Sequence, residues 1–488
     1  MNAKKLNKAM DRATTYEEWK QAALEHDHAT GMDRWKNIDQ SKRYDYVSIR
    51  IRLDELRKMR ARHDNRGLLF TLNEGLHGTM GGMGRSSLYD KAKFGTKQLI
   101  VEYVDEVVSA LEHLADPAVD EISFEEKLDF FRRADHCFGR SAFMMSGSGS
   151  LFYFHIGVVR ALLDQGLLPN VLSGSSGGAF VGSLLSTHHK DELRTLLDPD
   201  YLVEVMEQQT GHFRRASRIK PQLMQIDEIR KIIDSMIPDL TFQEAYDLSG
   251  RELNISIAPA EKHQKSRLLN ATTSPNVYIR EAVMASAAVP GVYPPVTLAA
   301  KNHLGEKQAY LPSRKWVDGS VSDDMPAKRL ARLYGVNHYI VSQTNPHVIP
   351  FMADGKKKDD TWSKLKNASV TSARAWMNAG ASSIEKPLSL SPSLTRMTNL
   401  ALSVLNQDYV GDINILPTNR FFNPFKILAY LSVEEIRDLI ASGERSTWPR
   451  MEMIRIQTRI SRTLRRILQD YDEEHILHVK AALRKKAS

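Results

Sequence analysis

The amino-acid sequence predicts an α/β fold: a parallel-sheet core with helices on both faces, flanked by mainly helical N- and C-terminal regions. Two observations indicate the sheet. Between about residues 140 and 345, short apolar runs alternate with stretches of helical periodicity, a pattern typical of parallel strands that are buried on both sides. Glycine-rich turns follow two of these runs, at 146–149 and at 174–178. Because functional residues of such sheets lie at the carboxyl ends of strands, these turns are candidate sites.

The N-terminal region, residues 1–135, is predicted to be a helical domain. Thr14 and Thr15 precede Glu17 and Glu18 by three positions, so either threonine fits a capping pattern at a helix start. Apolar residues then recur at helical spacing along 49–59. The glycine-rich stretch HGTMGGMGRSSLY at 77–89 interrupts the helices. Since it lacks the Gly-Lys-Ser/Thr ending of a phosphate-binding loop, we interpret it as a structural turn.

The central and C-terminal regions are predicted to span residues 136–350 and 351–488. Five segments of the first are predicted buried strands: AFMMSG, NVLSGSS, ELNISIAPA, KWVDGS and NHYIVSQT. The second should begin with an exposed charged loop at 354–360 and continue as helix. An apolar stripe from Met453 to Leu468, with arginines on the other faces, either lies in a lipid interface or, more commonly for such stripes, packs on the central domain.

The composition limits the class of protein. The chain has 488 residues, 42% hydrophobic and 26% charged, which is typical of globular proteins with more than one core. One cysteine, Cys137, excludes an internal disulfide framework and indicates a reducing compartment. No secretory signal and no run of about eighteen apolar residues is found, so we expect an intracellular protein without a spanning helix. The formal charge of +8 favours an anionic partner, nucleic acid or acidic lipid.

The pentapeptide Gly174-Ser-Ser176-Gly-Gly178 has the spacing of a nucleophile elbow. It follows a predicted strand and precedes a predicted helix, and the helix start would help to stabilise negative charge on Ser176 or on its acylation transition state. A flexible glycine-serine loop is an equally open interpretation of these five residues alone.

A second glycine loop, SGSGS at 146–150, also follows an apolar run and precedes a helix. The backbone amides of Gly147, Ser148 and Gly149 could stabilise an oxyanion during acyl transfer. A dinucleotide-binding fingerprint is disfavoured because Phe152 occupies its third glycine position. Further along, Asp318 ends a predicted strand in WVDGSVSDDMP and could act as a general base beside a serine, although Asp-Gly is also a common turn pair.

Together these motifs resemble the patatin-like phospholipase family, and most closely its branch of intracellular triacylglycerol lipases. A helical domain of unassigned function precedes the patatin core in that branch, and the stretch LHGTMGGMGRSSLYDKAKFGTKQLIVEYVDEV resembles it. Further similar motifs are SAAVPGVYPP, WVDGSVSDDMP and VNHYIVSQTNPHV, and weakly YVGDINILP. The resemblance covers most of residues 10–350, and it implies a patatin-like catalytic domain at 136–350.

The resemblance also implies a serine hydrolase that uses a Ser-Asp dyad without histidine. Ser176 would be the nucleophile and Asp318 the base, between elbow glycines Gly174 and Gly178. Gly147, Ser148 and Gly149 would form the oxyanion hole. Two positions depart from the commoner patatin loop: Ser148 replaces its middle glycine, and Leu151 stands where a basic residue is usual.

Histidines offer a competing catalytic arrangement. His338 and His347 follow Asp318, so a Ser-Asp-His order is formally available, but neither lies in a motif typical of a base. We interpret His155 as structural. His188 and His189, near Asp191 and Glu192, suggest a solvated helix end more than a metal pair.

The sequence therefore predicts a serine lipid acyl hydrolase that needs no cofactor or metal. Its substrate would be a glycerolipid, with triacylglycerol and phospholipid both open, as are hydrolysis and acyl transfer. We expect peripheral contact with a membrane or lipid-droplet surface. The alternative is a non-catalytic lipid-surface or scaffold protein with the same fold. Nucleic-acid binding is disfavoured because the basic residues are spread along helices without a recognisable module.

Overall fold

The structure is a computed structural model that describes residues 2–76, 78, 80–211, 222–261, 264–344, 411–418 and 426–487. It divides into two compact units. The first unit consists of Met1–Ser141, Tyr334–His338 and Pro449–Ser488, and the second of Ala142–Leu333 and Tyr339–Trp448. The predicted charged loop at 354–360 and His347 lie outside the described residues.

The described elements are numbered in chain order. The helices are α1 Ala3–Arg12, α2 Tyr16–Ala29, α3 Met32–Asn37, α4 Tyr46–Ala61, α5 Asn65–Gly75, α6 Gln98–Ala115, α7 Phe124–Phe138, α8 Phe152–Asp164, α9 Gly177–Ser186, α10 Leu193–Leu196, α11 Pro199–Thr210, α12 Ile226–Met236, α13 Phe242–Ser249, α14 Ile279–Ala287, α15 Ser320–Asp323, α16 Ala327–Tyr334, α17 Val433–Thr447 and α18 Met451–Ala487. The strands are β1 Arg140–Met145, β2 Val171–Gly174, β3 Glu252–Pro259, β4 Arg267–Leu269, β5 Leu298–Lys301, β6 Lys307–Tyr310, β7 Trp316–Asp318, β8 Val336–Ser342 and β9 Ile413–Ile415.

Seven of the described strands form one sheet in the order β4-β3-β2-β1-β8-β9, and β7 also pairs with β3. The predicted α/β fold and all five predicted strands are confirmed. The pairs β1-β2, β2-β3 and β8-β9 are parallel, as expected. The sheet is mixed, however, because β4 and β7 run antiparallel to β3. Helix α9 packs on β2 and β3, α14 packs on β3 and β7, and α17 covers α8.

The register of the sheet determines which strand ends meet. Gly174, the last residue of β2, lies opposite Ile255 of β3, and Asp318, the last residue of β7, lies opposite Ile257. Asp318 is therefore level with the chain two residues beyond Gly174. Because β7 is antiparallel, its carboxyl end reaches this level from the opposite direction.

The first unit is helical, and α18 is part of its core. The apolar stripe predicted on α18 is buried: Ile456, Ile460, Leu464, Ile467 and Leu468 are each at most 8% exposed. The helix contacts α6 and α7. Three of its arginines form ion pairs with these helices: Arg459 with Asp105, Arg465 with Asp135 and Arg466 with Glu112. The stripe therefore packs within the first unit. Both sequence interpretations, burial in a lipid interface and packing on the central domain, are wrong.

The glycine-rich stretch at 77–89 is held within the first unit in its described part. Backbone carbonyl oxygens of Gly81 and Gly84 accept hydrogen bonds from the Asp45 amide at 2.9 Å and from the Gln457 side chain at 2.9 Å. Such anchoring is what a structural turn needs. The predicted cap of α2 is present as well, because the Thr15 hydroxyl accepts from the Glu18 amide.

The C-terminal region contributes to both units. Residues 411–418 and 426–448 belong to the second unit, and 449–487 to the first. The division at 135 and 350 stays a prediction of domain organisation. Across the parts of the chain that the structure describes, no helix has the length and apolar character needed to cross a bilayer.

Candidate active site

Ser176 occupies a strained turn between β2 and α9. Its backbone has φ 51° and ψ −122°, a combination that residues other than glycine rarely adopt. The turn is tight: a Cβ on Gly174 would overlap the backbone of Gly178, and one on Gly178 would lie 2.5 Å from the carbonyl oxygen of Met145. The glycines at both ends of the pentapeptide are therefore required by close backbone approach.

A neighbouring helix supports this strained turn. The Ser176 amide donates to the Ser286 hydroxyl at 2.8 Å, and that hydroxyl donates to the carbonyl oxygen of Ser256 at 2.8 Å. Ser286 is on α14 and Ser256 is on β3, so the turn is tied to the sheet through a buried serine. Strain of this kind persists only where surrounding structure holds it.

Asp318 is buried next to Ser176. It is 3% exposed, and its Oδ1 accepts a hydrogen bond from the Ser320 amide at 2.8 Å. The pKa of the Asp318 carboxyl is raised to about 7, mainly because the group is buried. The negative charge of Asp324 contributes to the rise, whereas hydrogen bonds from Ser320 and from the side chain of Ser176 oppose it. The structure thus brings together the serine and the aspartate that the sequence singled out.

In the loop after β1, the backbone amides at the two ends donate hydrogen bonds to other segments of the second unit. The Gly147 amide donates at 2.8 Å to Oδ1 of Asp324. The Ser150 amide donates at 2.6 Å to the carbonyl oxygen of Ile427, and its hydroxyl donates at 2.7 Å to that of Ala429. These contacts fix both ends of the loop and leave Ser148 and Gly149 between the anchored positions. The Ser148 hydroxyl is buried and has no hydrogen-bond partner among the described residues.

Asp324 also contacts the elbow. The hydroxyl of Ser175 donates to the same Oδ1 that accepts from Gly147. Ser175 is fully buried, whereas Ser176 lines a cavity. Neither Asp324 nor Ser286 was recognised from the sequence as part of the site, although Asp324 lies in WVDGSVSDDMP and Ser286 in SAAVPGVYPP. The adjacent acids in SDDMP were the available signal for Asp324.

An apolar cavity opens beside Ser176. Its volume is about 640 Å³, including space open to solvent. Ser176, Gly177 and Gly149 line one side. Side chains from five helices, α8, α9, α11, α12 and α14, and from three loop segments line the rest, among them Ile233, Val283 and Leu428. A hydroxyl on a strained turn, a buried carboxyl and an apolar cavity are therefore adjacent.

Within the described residues, the histidines considered from the sequence have hydrogen-bond partners other than Ser176 and Asp318. His155 is fully buried, with Nδ1 2.7 Å from the Ser342 hydroxyl and Nε2 3.0 Å from the Ser146 carbonyl oxygen. Burial lowers the pKa of His155 to about 4, so this ring is neutral at physiological pH. In the first unit, His338 contacts Ser141 at 2.9 Å and Gln457 at 2.7 Å.

The suggested metal pair lies at the end of α9. The Nδ1 atom of His188 lies 3.0 Å from the Leu184 carbonyl oxygen, and the His189 amide donates to Glu192. Within the described ranges, no three histidine, cysteine, aspartate or glutamate side chains are grouped closely enough to hold a metal ion.

Comparison with known proteins matches both parts of the chain to families. Residues 1–136 match a domain of unknown function, DUF3336, and residues 143–331 match the patatin-like phospholipase family. The chain is 34% identical to triacylglycerol lipase 4 of Saccharomyces cerevisiae, over 91% of this chain and 50% of that protein. It is 32% identical to a patatin-like phospholipase domain-containing protein of Cryptococcus neoformans, over 95% of this chain and 54% of that protein.

The chain spans about half the length of these two relatives. It matches triacylglycerol lipase ptl3 of Schizosaccharomyces pombe almost end to end, at 31% identity over 93% of this chain and 95% of that protein. This match, together with the family match over 143–331, shows that the chain belongs to the patatin-like phospholipase family.

Proposed function

We propose that the protein is a serine lipid acyl hydrolase in which Ser176 and Asp318 form a catalytic dyad. The observation that carries this proposal is the position of Ser176: a strained elbow, a buried carboxyl beside it and an apolar cavity in front of it. The names of the relatives, lipases and a phospholipase-domain protein, support the same class of reaction.

In the proposed first half-reaction, Asp318 accepts the proton of the Ser176 hydroxyl as Oγ attacks the ester carbonyl carbon. When the tetrahedral intermediate collapses, the bond between the carbonyl carbon and the alcohol oxygen breaks, and Asp318 returns the proton to the leaving alkoxide. In the second half-reaction, water attacks the acyl-enzyme and gives a proton to Asp318. The fatty acid leaves, and Ser176 regains its proton.

The oxyanion would be stabilised by backbone amides close to Ser176. Gly177 is the first residue of α9, so its amide has no acceptor within the helix. Ser148 and Gly149 lie between the anchored ends of the loop after β1. We assign the donor role to these three amides. Gly147, the third member of the predicted oxyanion loop, would instead hold the loop in place, because its amide is already bound to Asp324.

The cavity fits an acyl chain, and its surroundings fit a lipid surface. Met224 lines the cavity and accepts a hydrogen bond from the Tyr293 hydroxyl at 2.8 Å, so these two segments meet at the cavity. Their chain neighbours Leu223 and Val292 are 41% and 43% exposed, so two apolar side chains lie at the surface beside the cavity-lining segments. We propose that they contact the surface of a membrane or lipid droplet from which a glycerolipid, either triacylglycerol or phospholipid, enters the cavity.

A fluorophosphonate probe, which reacts with activated serine hydroxyls, tests the proposal. We expect the wild-type protein to be labelled and Ser176→Ala to lose both labelling and ester hydrolysis while remaining folded. Ser175→Ala is the matched control, and it should still be labelled at Ser176. Labelling that persists in Ser176→Ala would contradict the assignment of the nucleophile.

A panel of triacylglycerol, phospholipid and lysophospholipid substrates would then identify the ester that is cleaved. If the folded wild-type protein shows neither labelling nor turnover of any of these, the protein is not a hydrolase. That outcome would favour the non-catalytic lipid-surface or scaffold alternative.

A further inference from the structure

Asp324 lies where three chain segments of the site meet. It follows α15, in the segment after β7, and it is 1% exposed. Its Oδ1 accepts hydrogen bonds from the Gly147 amide at 2.8 Å and from the Ser175 hydroxyl. Gly147 belongs to the loop after β1, and Ser175 to the elbow after β2. One carboxylate oxygen therefore connects the segments that follow three strands, β1, β2 and β7.

The loop after β1 lies in close contact with the segment that follows β7. A Cβ on Gly147 would lie 2.7 Å from Cβ of Ser320 and 3.6 Å from Oδ1 of Asp324. The backbone at Gly147 thus runs directly against the segment that carries Asp318 and Asp324. A hydrogen bond that a buried amide donates to a charged acceptor is among the stronger hydrogen bonds in proteins, so it can fix this loop.

We propose that Asp324 is a positioning residue that holds the oxyanion loop and the nucleophile elbow in register through this shared carboxylate oxygen. The inference rests on the proposed function, because it assigns a task within the same site. Asp324 does not line the cavity, and it acts on the reaction through Ser148, Gly149 and Ser176.

Asp324 has a second effect on the site through its charge. Burial is the largest cause of the raised pKa of Asp318, and the charge of Asp324 adds to it, whereas hydrogen bonds of Ser320 and Ser176 lower that pKa. Removal of the charge, with the hydrogen-bond acceptor retained, should lower the pKa of Asp318. Positioning and charge can therefore be separated by two substitutions at this one residue.

The experiment measures kcat and KM of Asp324→Asn and Asp324→Ala with a soluble short-chain ester, together with the pH profile of kcat/KM. Asp324→Asn keeps an oxygen acceptor for Gly147 and Ser175. We expect it to retain at least about a tenth of wild-type kcat and to move the acid limb to lower pH. Asp324→Ala loses the acceptor, so kcat should fall by about 100-fold with KM changed less than about threefold, since the cavity is untouched.

Asp323→Asn is the matched control. Asp323 is the preceding residue, its side chain is 26% exposed, and it pairs with Arg329 outside the site, so we expect wild-type kcat and an unchanged acid limb. Ser175→Ala removes one of the two donors to Asp324 and should lower kcat less than Asp324→Ala does. It also keeps the test decisive if Asp324→Ala fails to fold.

A folded Asp324→Ala with kcat within about twofold of wild type would overturn the proposal. If Asp324→Ala is unfolded, an unchanged kcat in Ser175→Ala, taken with an unmoved limb in Asp324→Asn, would overturn it equally. A wild-type protein that fluorophosphonate does not label would instead contradict the proposed function itself, so the two failures are distinguishable.

Discussion

The substitution Asp318→Asn should abolish activity and at the same time stabilise the second unit. The buried carboxyl has a pKa of about 7 in place of the ordinary value of 3.8, a rise of about three units. Each unit corresponds to about 1.4 kcal/mol, so the ionised form destabilises the folded state by about 4 kcal/mol above neutral pH. Asparagine has nearly the same shape and no charge, and it therefore removes this penalty.

The sign of the pH dependence follows from proton binding. Between pH 4 and 7 the folded state of the wild type holds a proton on Asp318 that the unfolded state has released, so wild-type stability from this group decreases as pH rises through this window. The advantage of Asp318→Asn should accordingly be largest at pH 8, up to about 4 kcal/mol, and less than half as large at pH 5. Activity should fall by about 10³-fold or more at every pH, because an amide cannot accept the Ser176 proton.

Urea unfolding at pH 5 and pH 8, followed by circular dichroism, measures the stability difference, and short-chain ester hydrolysis measures activity. If the two units unfold separately, only one transition should move. Asp164→Asn is a control, since that carboxyl has a side chain 59% exposed at the surface of the same unit and should change neither quantity. A variant no more stable than wild type at pH 8, or one equally stabilised at both pH values, would refute the raised pKa. Near-wild-type turnover would refute the role of Asp318 as base.

Two further predictions concern the lipid. Ala287 lines the cavity, so Ala287→Phe should lower kcat/KM for long-chain esters at least about tenfold more than for short-chain esters. A series of esters of increasing chain length measures this difference. Ala260→Phe, at an exposed position, is the control and should leave the ratio of long-chain to short-chain kcat/KM unchanged. Leu223→Asp and Val292→Asp should each lower hydrolysis of emulsified or vesicular lipid by about fivefold or more while soluble ester hydrolysis stays at the wild-type rate. Leu304→Asp, which alters a side chain that is 69% exposed in the β5–β6 turn, is the control for added surface charge. Equal loss on soluble and aggregated substrate would contradict the surface role.

The local features of the fold could be predicted from sequence because each depends on neighbouring residues. The Thr15 cap and the Gly174–Gly178 turn are examples, since spacing along the chain determines both. The antiparallel direction of β7 could not be predicted, because a three-residue strand carries no signal of the partner beside which it runs. The packing partner of the apolar stripe on α18 could not be predicted either. The helical period of the stripe shows that one face is buried, but it does not show which unit that face packs against.

The site divides in the same way. Ser176 was recognisable because the elbow is contained in five residues, and Asp318 because it ends a strand within a motif. Ser286 and Asp324 depend on contacts across more than a hundred residues, from Ser176 to Ser286 and from Gly147 to Asp324. No local spacing reports such contacts, so only the structure places these two side chains in the site.

The antiparallel strand also bears on why a carboxyl could serve where many hydrolases use histidine. An ordinary aspartate is a weak base, with a pKa of about 4, whereas an imidazole has one of about 6.5. The register that brings Asp318 level with the elbow also buries it under α14 and beside Asp324, and its pKa rises to about 7. Its basicity then approaches that of histidine, and proton transfer is most effective when the pKa of the base is near the working pH. In the proposed mechanism, one feature of the fold thus both positions the base and tunes it, so the dyad needs no third member.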